Sequence, residues 1–293
     1  MTTLLFLGVM VAGTFALGLA DVWKRKYLVD GVNEQALLAI TMVLTGGFLG
    51  AVLFIVGMPE VKEGFWGAFA VTVLGNTVSQ NLYMRAFKLT EASLIGPLKL
   101  ITPPLVILTA FLFLGEVPSV AGIAGIFITV IGLWLLLFGG KGMFFNFSAL
   151  RDRGVMFGLI SAVMWAVQVP FDKVTVVTSS PIFAGAIVSV SIGLLTFLWN
   201  TVVNHSFPRV VVDTLQKYGK ANILIGLSAG IGTALTNQGY NYALTAYVSS
   251  LKRLWSLWTV LLAGRLLKEK DTGRRLVAAV IMFLGIMLTV FWQ

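Results

Sequence analysis

Four basic side chains interrupt long apolar stretches of the sequence: Lys99, Lys173, Lys252 and Arg253. A charged side chain near the centre of a bilayer costs roughly 3 kcal/mol on insertion scales, so such residues usually face a water-filled cavity. The ammonium group of lysine and the planar guanidinium fork of arginine are well suited to bind a carboxylate or a phosphate. We therefore predict that these four residues line a binding site for an anion.

The competing interpretation is that these side chains extend to the lipid headgroups. Lys99 lies about seven residues, or about 10 Å, inside its apolar stretch, and a lysine side chain reaches about half that distance. For the pair at 252–253, the headgroups are close if the helix begins at Val248, after a turn at 246–247. Adjacent helical residues also point about 100° apart, so both members of this pair line one cavity only near its corner.

Polar and aromatic side chains recur at helical spacing around these charges. They form three predicted helix faces: Asn76, Gln80 and Tyr83; Thr233, Asn237 and Tyr240; Trp165, Gln168 and Asp172. Trp255 lies beside the basic pair and is a candidate for the floor of the cavity. Such groups orient a polar ligand in an apolar pocket. The alternatives are hydrogen bonding between membrane helices for the amides and hydroxyls, and anchoring at the interface for tryptophan.

Two carboxyl groups are candidates for proton coupling, Asp21 and Asp172. A carboxyl group inside a membrane protein can take part in a proton relay. We favour the alternative, in which Asp172 pairs with Lys173 and Asp21 pairs with a neighbouring base, Lys24 or Arg25. An exchanger of anions needs no coupling ion, so the anion-site hypothesis does not depend on either carboxyl group.

The composition indicates the elements that hold these residues. Apolar residues make up 58% of the 293 residues and charged residues only 11%, which is typical of an integral membrane protein. We mark ten stretches long enough to cross a bilayer: 3–23, 35–57, 65–85, 92–115, 118–139, 154–177, 181–203, 221–242, 247–267 and 274–292. The first begins directly after Met1 and lacks the features of a cleaved signal peptide, so we expect a retained span. The predicted fold is all-α, with ten transmembrane helices.

The basic residues of the turns indicate the orientation. When each turn is numbered by the helix before it, the even-numbered turns contain only Lys62, and the odd-numbered turns contain the rest. The positive-inside rule then places odd-numbered turns in the cytoplasm and both termini outside, in a bacterial or archaeal inner membrane. The net charge of +9 follows from this topology. We expect no nucleic-acid partner, because no basic stretch alternates with exposed aromatic residues.

The second half of the sequence repeats the first. The stretch 76–83 is similar to 233–240, and Lys99 matches Lys252. Because each half has five predicted helices, an odd number, the halves must lie in opposite senses in the membrane, as in the inverted repeats of many transporters. The predicted division is a first five-helix repeat at 1–140, a linker at 141–153 and a second five-helix repeat at 154–293.

A group of glycine, proline and glutamate residues in the first half is repeated weakly in the second. It comprises Ala92-Ser93-Leu94-Ile95-Gly96-Pro97, Thr102-Pro103-Pro104, Gly115-Glu116 and Gly122, followed later by Lys268-Glu269, Ala279 and Gly285. This pattern resembles the EamA-type repeat of the drug/metabolite transporter superfamily. The resemblance implies a basket of helices around a central cavity and alternating-access transport of small metabolites.

The basic pair at 252–253, together with Lys99, is similar to the phosphate-binding basic residues of the sugar-phosphate translocators in the same superfamily. The second half departs from the first in one respect, because Ser256 and Leu257 stand where the first half has two prolines. Whether helix nine bends is therefore left open by the sequence.

The motifs of catalysis and metal binding are missing from the sequence, and cysteine is absent. We expect no enzyme activity and no cofactor. The leading hypothesis is a secondary transporter of small organic anions, phosphorylated or carboxylated, that works as a single chain and contacts membrane lipids. The second hypothesis is an exporter of amino acids or related zwitterionic or aromatic metabolites. The third is a membrane scaffold or lipid-binding protein that does not transport.

Overall fold

The computed structural model describes residues 3–89, 101–138, 153–255, 257–258, 261–262, 277, 280–285 and 287–288. These residues form helices and no strand. The α-helices are α1 (Thr3–Val29), α2 (Glu34–Val56), α3 (Phe65–Leu89), α4 (Thr102–Leu114), α5 (Val120–Phe138), α6 (Arg153–Val177), α7 (Pro181–Val203), α8 (Phe207–Gln238) and α9 (Thr245–Lys252). A 3-10 turn, Gly239–Asn241, separates α8 from α9, and residues 280–285 are also helical. The all-α prediction is confirmed.

Four of the described helices have the length and apolar composition needed to cross a membrane: Leu4–Leu28, Glu34–Val56, Arg153–Val177 and Pro181–Val203. Two shorter apolar helical stretches lie at Thr102–Leu114 and Val120–Gly132. Large apolar side chains on the outside of these helices, such as Phe54 and Trp199, are well exposed. Such surfaces suit contact with lipid rather than with water.

The chain divides into two compact units, and each contains parts of both halves of the sequence. Unit 1 comprises Met1–Thr77 and Phe171–Asn241, and unit 2 comprises Val78–Pro170 and Tyr242–Gln293. In unit 1, α2 packs against α7 and α8, and α8 also packs against α1 and α7. In unit 2, α9 packs against α4 and α5. The predicted repeats are therefore divisions of the sequence that differ from the compact units.

Helices α2 and α7 occupy equivalent places in the two sequence halves, and in unit 1 they approach closely through glycine. A methyl group on Gly46 would lie 2.6 Å from the carbonyl oxygen of Ala186, and one on Gly193 would lie 2.9 Å from that of Ala39. Gly46 and Gly193 are equivalent positions of the two halves, 147 residues apart, and so are Ala39 and Ala186. The two antiparallel helices therefore make the same glycine contact in both directions, which is the contact pattern of a local two-fold axis.

Unit 2 contains a second reciprocal contact, between α5 and residues 280–285. Gly132 lies against the backbone of Met282, and Gly285 lies against the backbone of Thr129. Here Gly285 follows Gly132, and Met282 follows Thr129, by 153 positions. Close antiparallel packing through glycine therefore recurs between equivalent parts of the two halves. It is the small-residue packing that is common between membrane helices.

Several helix boundaries differ from the predicted ones, and α1, for example, extends to Val29 rather than to 23. Helix α8 begins at Phe207 rather than at 221, so residues that the sequence placed in a turn, Arg209 and Lys217 among them, are helical. The described part of α4 begins at Thr102, and prolines occupy the next two positions. Proline is tolerated there because the N–H groups of the first helical turn need no partner within the helix.

Candidate functional site

Helix α9 is enclosed by protein on every side along almost its whole length. Every residue from Thr245 to Leu251 is buried. The helix begins at Thr245, so the turn predicted at 246–247 is wrong. Lys252 therefore lies seven residues, or about 10 Å, from the start of α9. A lysine side chain reaches about half that distance, so headgroup contact at that end is as difficult for Lys252 as the sequence predicted for Lys99.

A carboxylate from another helix connection in unit 2 fixes the start of α9. Glu116, just after α4, accepts hydrogen bonds from the Thr245 backbone N–H at 2.6 Å and from the Thr245 hydroxyl at 3.0 Å. Three residues after Glu116, the Ser119 N–H donates to the hydroxyl oxygen of Tyr247 at 2.9 Å. Gly122 lies against the same phenol and has no room for a side chain. Two motif positions of the first half, Glu116 and Gly122, together with Ser119, thus hold α9 in place.

The hydrogen bonding of α9 tightens at the basic pair. The Arg253 N–H donates to the carbonyl of Ser250 at 3.0 Å, three residues back rather than four. The backbone of Arg253 stays in the right-handed helical region, with φ −67° and ψ −16°, and Leu254 and Trp255 are also helical. The side chains of Lys252, Arg253 and Trp255 are half-buried. Whether helix nine bends therefore stays open.

Two serines next to the basic pair were not predicted as site residues. Ser249 and Ser250 are 2% and 1% exposed, and their hydroxyls have no hydrogen-bond partner among the described residues. Helical hydroxyls elsewhere in the chain, such as those of Thr129 and Thr236, donate to the carbonyl four residues back. Buried polar groups normally have a partner. The sequence alone cannot show whether a helical serine bonds its own helix backbone or leaves its hydroxyl without such a bond, because serine is common in membrane helices in both situations.

Helices α3 and α6 are joined by paired polar and aromatic side chains. In unit 2, the Ser79 hydroxyl donates to the Gln168 side chain at 3.4 Å. The rings of Tyr83 and Trp165 meet edge to face, 5.2 Å apart. In this way Tyr83, Trp165 and Gln168 contact the neighbouring helix, as the interhelical alternative expects. Their contact with a ligand stays a prediction.

The acidic candidates lie in unit 1. Asp21 forms an ion pair with Lys24 at 3.6 Å, in agreement with the favoured alternative to proton coupling. Asp172 accepts a hydrogen bond from the Asn76 side chain at 3.4 Å. Lys173 follows it on α6 and is half-buried. The pairing of Asp172 with Lys173 and the coupling roles of both carboxyl groups stay predictions.

The remaining candidates are distributed as follows. Gln80 is half-buried on α3, and the half-buried Asn237 has its amide close to Gly185. Tyr240 is buried, but it lies in the 3-10 turn after α8 ends at Gln238. The regular helix that was predicted to carry this face ends before Tyr240, and a role of Tyr240 in the site stays a prediction. Lys99 lies outside the described residues.

Unit 2 also contains a cavity of about 400 Å³ that does not suit an anion. Its walls come from α4, α5 and the connection between them: Pro104, Ile107, Leu108, Phe111, Glu116, Val117, Pro118, Ile123 and Phe127. Nearly all of these side chains are apolar, and the charged one is an acid. The basic end of α9 is therefore the better candidate for the anion site.

The family of the chain follows from comparison with known proteins. The model of the EamA-like transporter family matches residues 4–138 and again residues 152–291. The chain belongs to this family. The resemblance found in the glycine, proline and glutamate motif is thereby confirmed, and the two matches cover both halves of the sequence. The EamA-like chain is thus a membrane transporter of small molecules.

A solved structure, described as "Crystal structure of protein", is similar to the EamA-like chain. It superposes with a TM-score of 0.72 at 18% sequence identity and covers 96% of each chain. At this identity the likeness shows the fold alone. No curated protein sequence matches the chain.

Proposed function

We propose that the chain is a secondary transporter of small organic anions, phosphorylated or carboxylated, which works by alternating access and binds its substrate at the end of α9. The observation that carries this proposal is that two adjacent basic residues, Lys252 and Arg253, lie half-buried at the end of a helix whose other residues are all buried. Basic groups inside a membrane protein usually face a water-filled cavity or pair with an acid, and an anionic substrate would suit such a cavity. The buried hydroxyls of Ser249 and Ser250 add donors for a carboxylate or phosphate oxygen.

The proposal extends to Lys99 on helix four, the position that matches Lys252 in the sequence repeat. Lys173, Gln80, Asn237 and Tyr240 are proposed to complete the polar lining. We retain Asp21 and Asp172 only as candidates for proton coupling.

The proposed topology has ten transmembrane helices in two inverted five-helix repeats. Hydrogen bonds within each unit support it, because each of them joins two even-numbered turns, which the topology places on the same side of the membrane. The Lys62 N–H in turn 2 donates to the Thr178 carbonyl in turn 6, and Glu116 in turn 4 binds the start of α9 after turn 8. The antiparallel, reciprocal packing of equivalent helices supports the inverted sense of the halves. With the positive-inside rule, even-numbered turns face outward from a bacterial or archaeal inner membrane.

Counterflow into liposomes that contain the purified protein tests the proposal. Phosphate esters and dicarboxylates are compared with aromatic and neutral amino acids, in the wild type, Lys99→Gln, Lys252→Gln and the control Lys62→Gln, an exposed lysine of turn 2. We expect uptake of at least one anion by the wild type and the control. Loss of one charged hydrogen bond lowers affinity by about 10- to 100-fold in Lys252→Gln.

The other two hypotheses predict different results in the same assay. Counterflow of amino acids but not of other anions identifies the amino-acid exporter, in which the basic groups bind only a carboxylate. A scaffold shows no counterflow with any compound. If both glutamine variants transport every anion as well as the wild type does, the anion site at the end of α9 is wrong.

A further inference from the structure

Helix α8 consists of two parts that meet at a kink. Tyr218 has non-helical dihedral angles, φ −126° and ψ 22°, and a glycine follows it. The amide of Asn222 donates to the Tyr218 carbonyl at 3.1 Å, and a side chain bonded to the helix backbone is one of the usual features of a kink. The part after the kink, 219–238, has 20 residues and is about 30 Å long, the thickness of the hydrocarbon core. If this part crosses the bilayer, residues 207–217 lie at or beyond its boundary.

We call residues 207–217 the N-terminal segment of α8. One of its faces is docked on the rest of unit 1. Phe207 is 3% exposed, and its ring lies 6.0 Å from that of Phe197 on α7. Just after the segment, the ring of Tyr218 lies 5.2 Å from the ring of Tyr27 on α1. The segment is thus held against the helices at both of its ends.

Thr214 also faces inward, but the outer side of the segment is exposed, and its apolar and polar residues are separated. Val212 and Leu215 are 49% and 40% exposed and lie on one side. Arg209, Asp213, Gln216 and Lys217 are exposed on a side about 120° further round the helix. A docked face, a free apolar face and a free polar face are typical of a helix that lies in the plane of a membrane interface.

The charges and the neighbouring helix indicate what the segment contacts. Arg209, Lys217 and Lys220 are exposed and outweigh the single acid Asp213, so the segment and its kink carry a net charge of +2. The preceding helix carries an exposed Trp199 four residues before its end, and tryptophan is typical of a membrane boundary. We propose that the N-terminal segment of α8 lies in the membrane interface and that these three basic residues bind the headgroups of anionic phospholipids.

Spin labelling tests the placement, and the absence of cysteine from the chain makes it direct. Single cysteines replace Val212, Asp213, Leu215 and Gln216, and each carries a nitroxide in vesicles of phosphatidylglycerol and phosphatidylcholine. We expect labels at 212 and 215 to collide mainly with oxygen, and labels at 213 and 216 mainly with a water-soluble nickel complex. Equal collision ratios at all four positions would overturn the placement.

Lipid retention tests the charge. The bound phosphatidylglycerol of the purified protein is measured by mass spectrometry for the wild type, for the triple variant Arg209→Gln, Lys217→Gln, Lys220→Gln, and for the control Lys62→Gln. Each removed cation is expected to weaken phosphatidylglycerol binding about fivefold, an effect that added salt reduces. Equal binding by the triple variant and the wild type, equal binding of phosphatidylcholine, or full competition by inorganic phosphate would each overturn the headgroup proposal.

Discussion

The carboxylate of Glu116 is predicted to be the main element that fixes the start of α9. Glu116→Ala removes two charge-assisted hydrogen bonds to Thr245, at 2.6 and 3.0 Å. Each such bond contributes about 1.5–3 kcal/mol, and because Glu116 is only half-buried, water replaces part of the loss. We therefore expect the free energy of unfolding to fall by about 2–3 kcal/mol. Glu116→Gln keeps an oxygen for the Thr245 N–H and should lose only about 1 kcal/mol.

The free energy of unfolding can be measured by denaturant titration in mixed micelles. Thr245→Val removes only the hydroxyl donor and should cost about 1 kcal/mol. The double variant with Glu116→Ala should cost less than the sum of the two single changes, because the pair shares one interaction. Glu60→Ala is the control, since Glu60 is an exposed acid of another turn. The capping role is refuted if Glu116→Ala destabilises the protein no more than Glu60→Ala does.

Two further predictions concern packing and charge. Gly46→Ala should lower the free energy of unfolding by about 1–3 kcal/mol, because the added methyl group meets the α7 backbone. Gly47→Ala has open space around the added methyl group and should raise the free energy of unfolding by up to about 1 kcal/mol. Equal effects of the two changes would contradict the close approach of α2 and α7. Asp21→Asn breaks a partly exposed ion pair with Lys24 and should change the free energy of unfolding by about 0.5 kcal/mol or less. The dependence of substrate uptake on a pH gradient should not change in Asp21→Asn, and its loss would restore a coupling role.

The sequence predicted best the helices whose boundaries coincide with a change in hydropathy. Helix α7 was predicted at 181–203 and spans Pro181–Val203, and α2 was predicted within one residue at each end. Both are continuous apolar stretches between turn residues, so length and composition suffice. The start of α8 was missed because Arg209 and Lys217 read as turn residues in a count of charges. An interfacial helix tolerates such charges on its outer face.

Parts of the candidate site depend on contacts that a local pattern cannot show. The bond from Thr245 to Glu116 joins positions 129 residues apart, and the Gly-Glu motif gave no indication of this partner. The sequence placed Tyr83 and Trp165 on two predicted helix faces, but it did not predict that their rings contact each other. The state of Ser249 and Ser250 depends on whether each hydroxyl bonds its own helix. That choice is made by the tertiary surroundings rather than by residue type.

Ligand-induced stabilisation of the purified protein tests the anion site most directly. The melting temperature is measured with phosphate esters, dicarboxylates and neutral amino acids for the wild type, Lys252→Gln and Lys62→Gln. A ligand at 100 times its Kd stabilises the folded state by about 2.7 kcal/mol. We predict that at least one organic anion raises the melting temperature of the wild type and Lys62→Gln, and that Lys252→Gln loses most of this increase. An equal increase in Lys252→Gln would contradict an anion site at the end of α9.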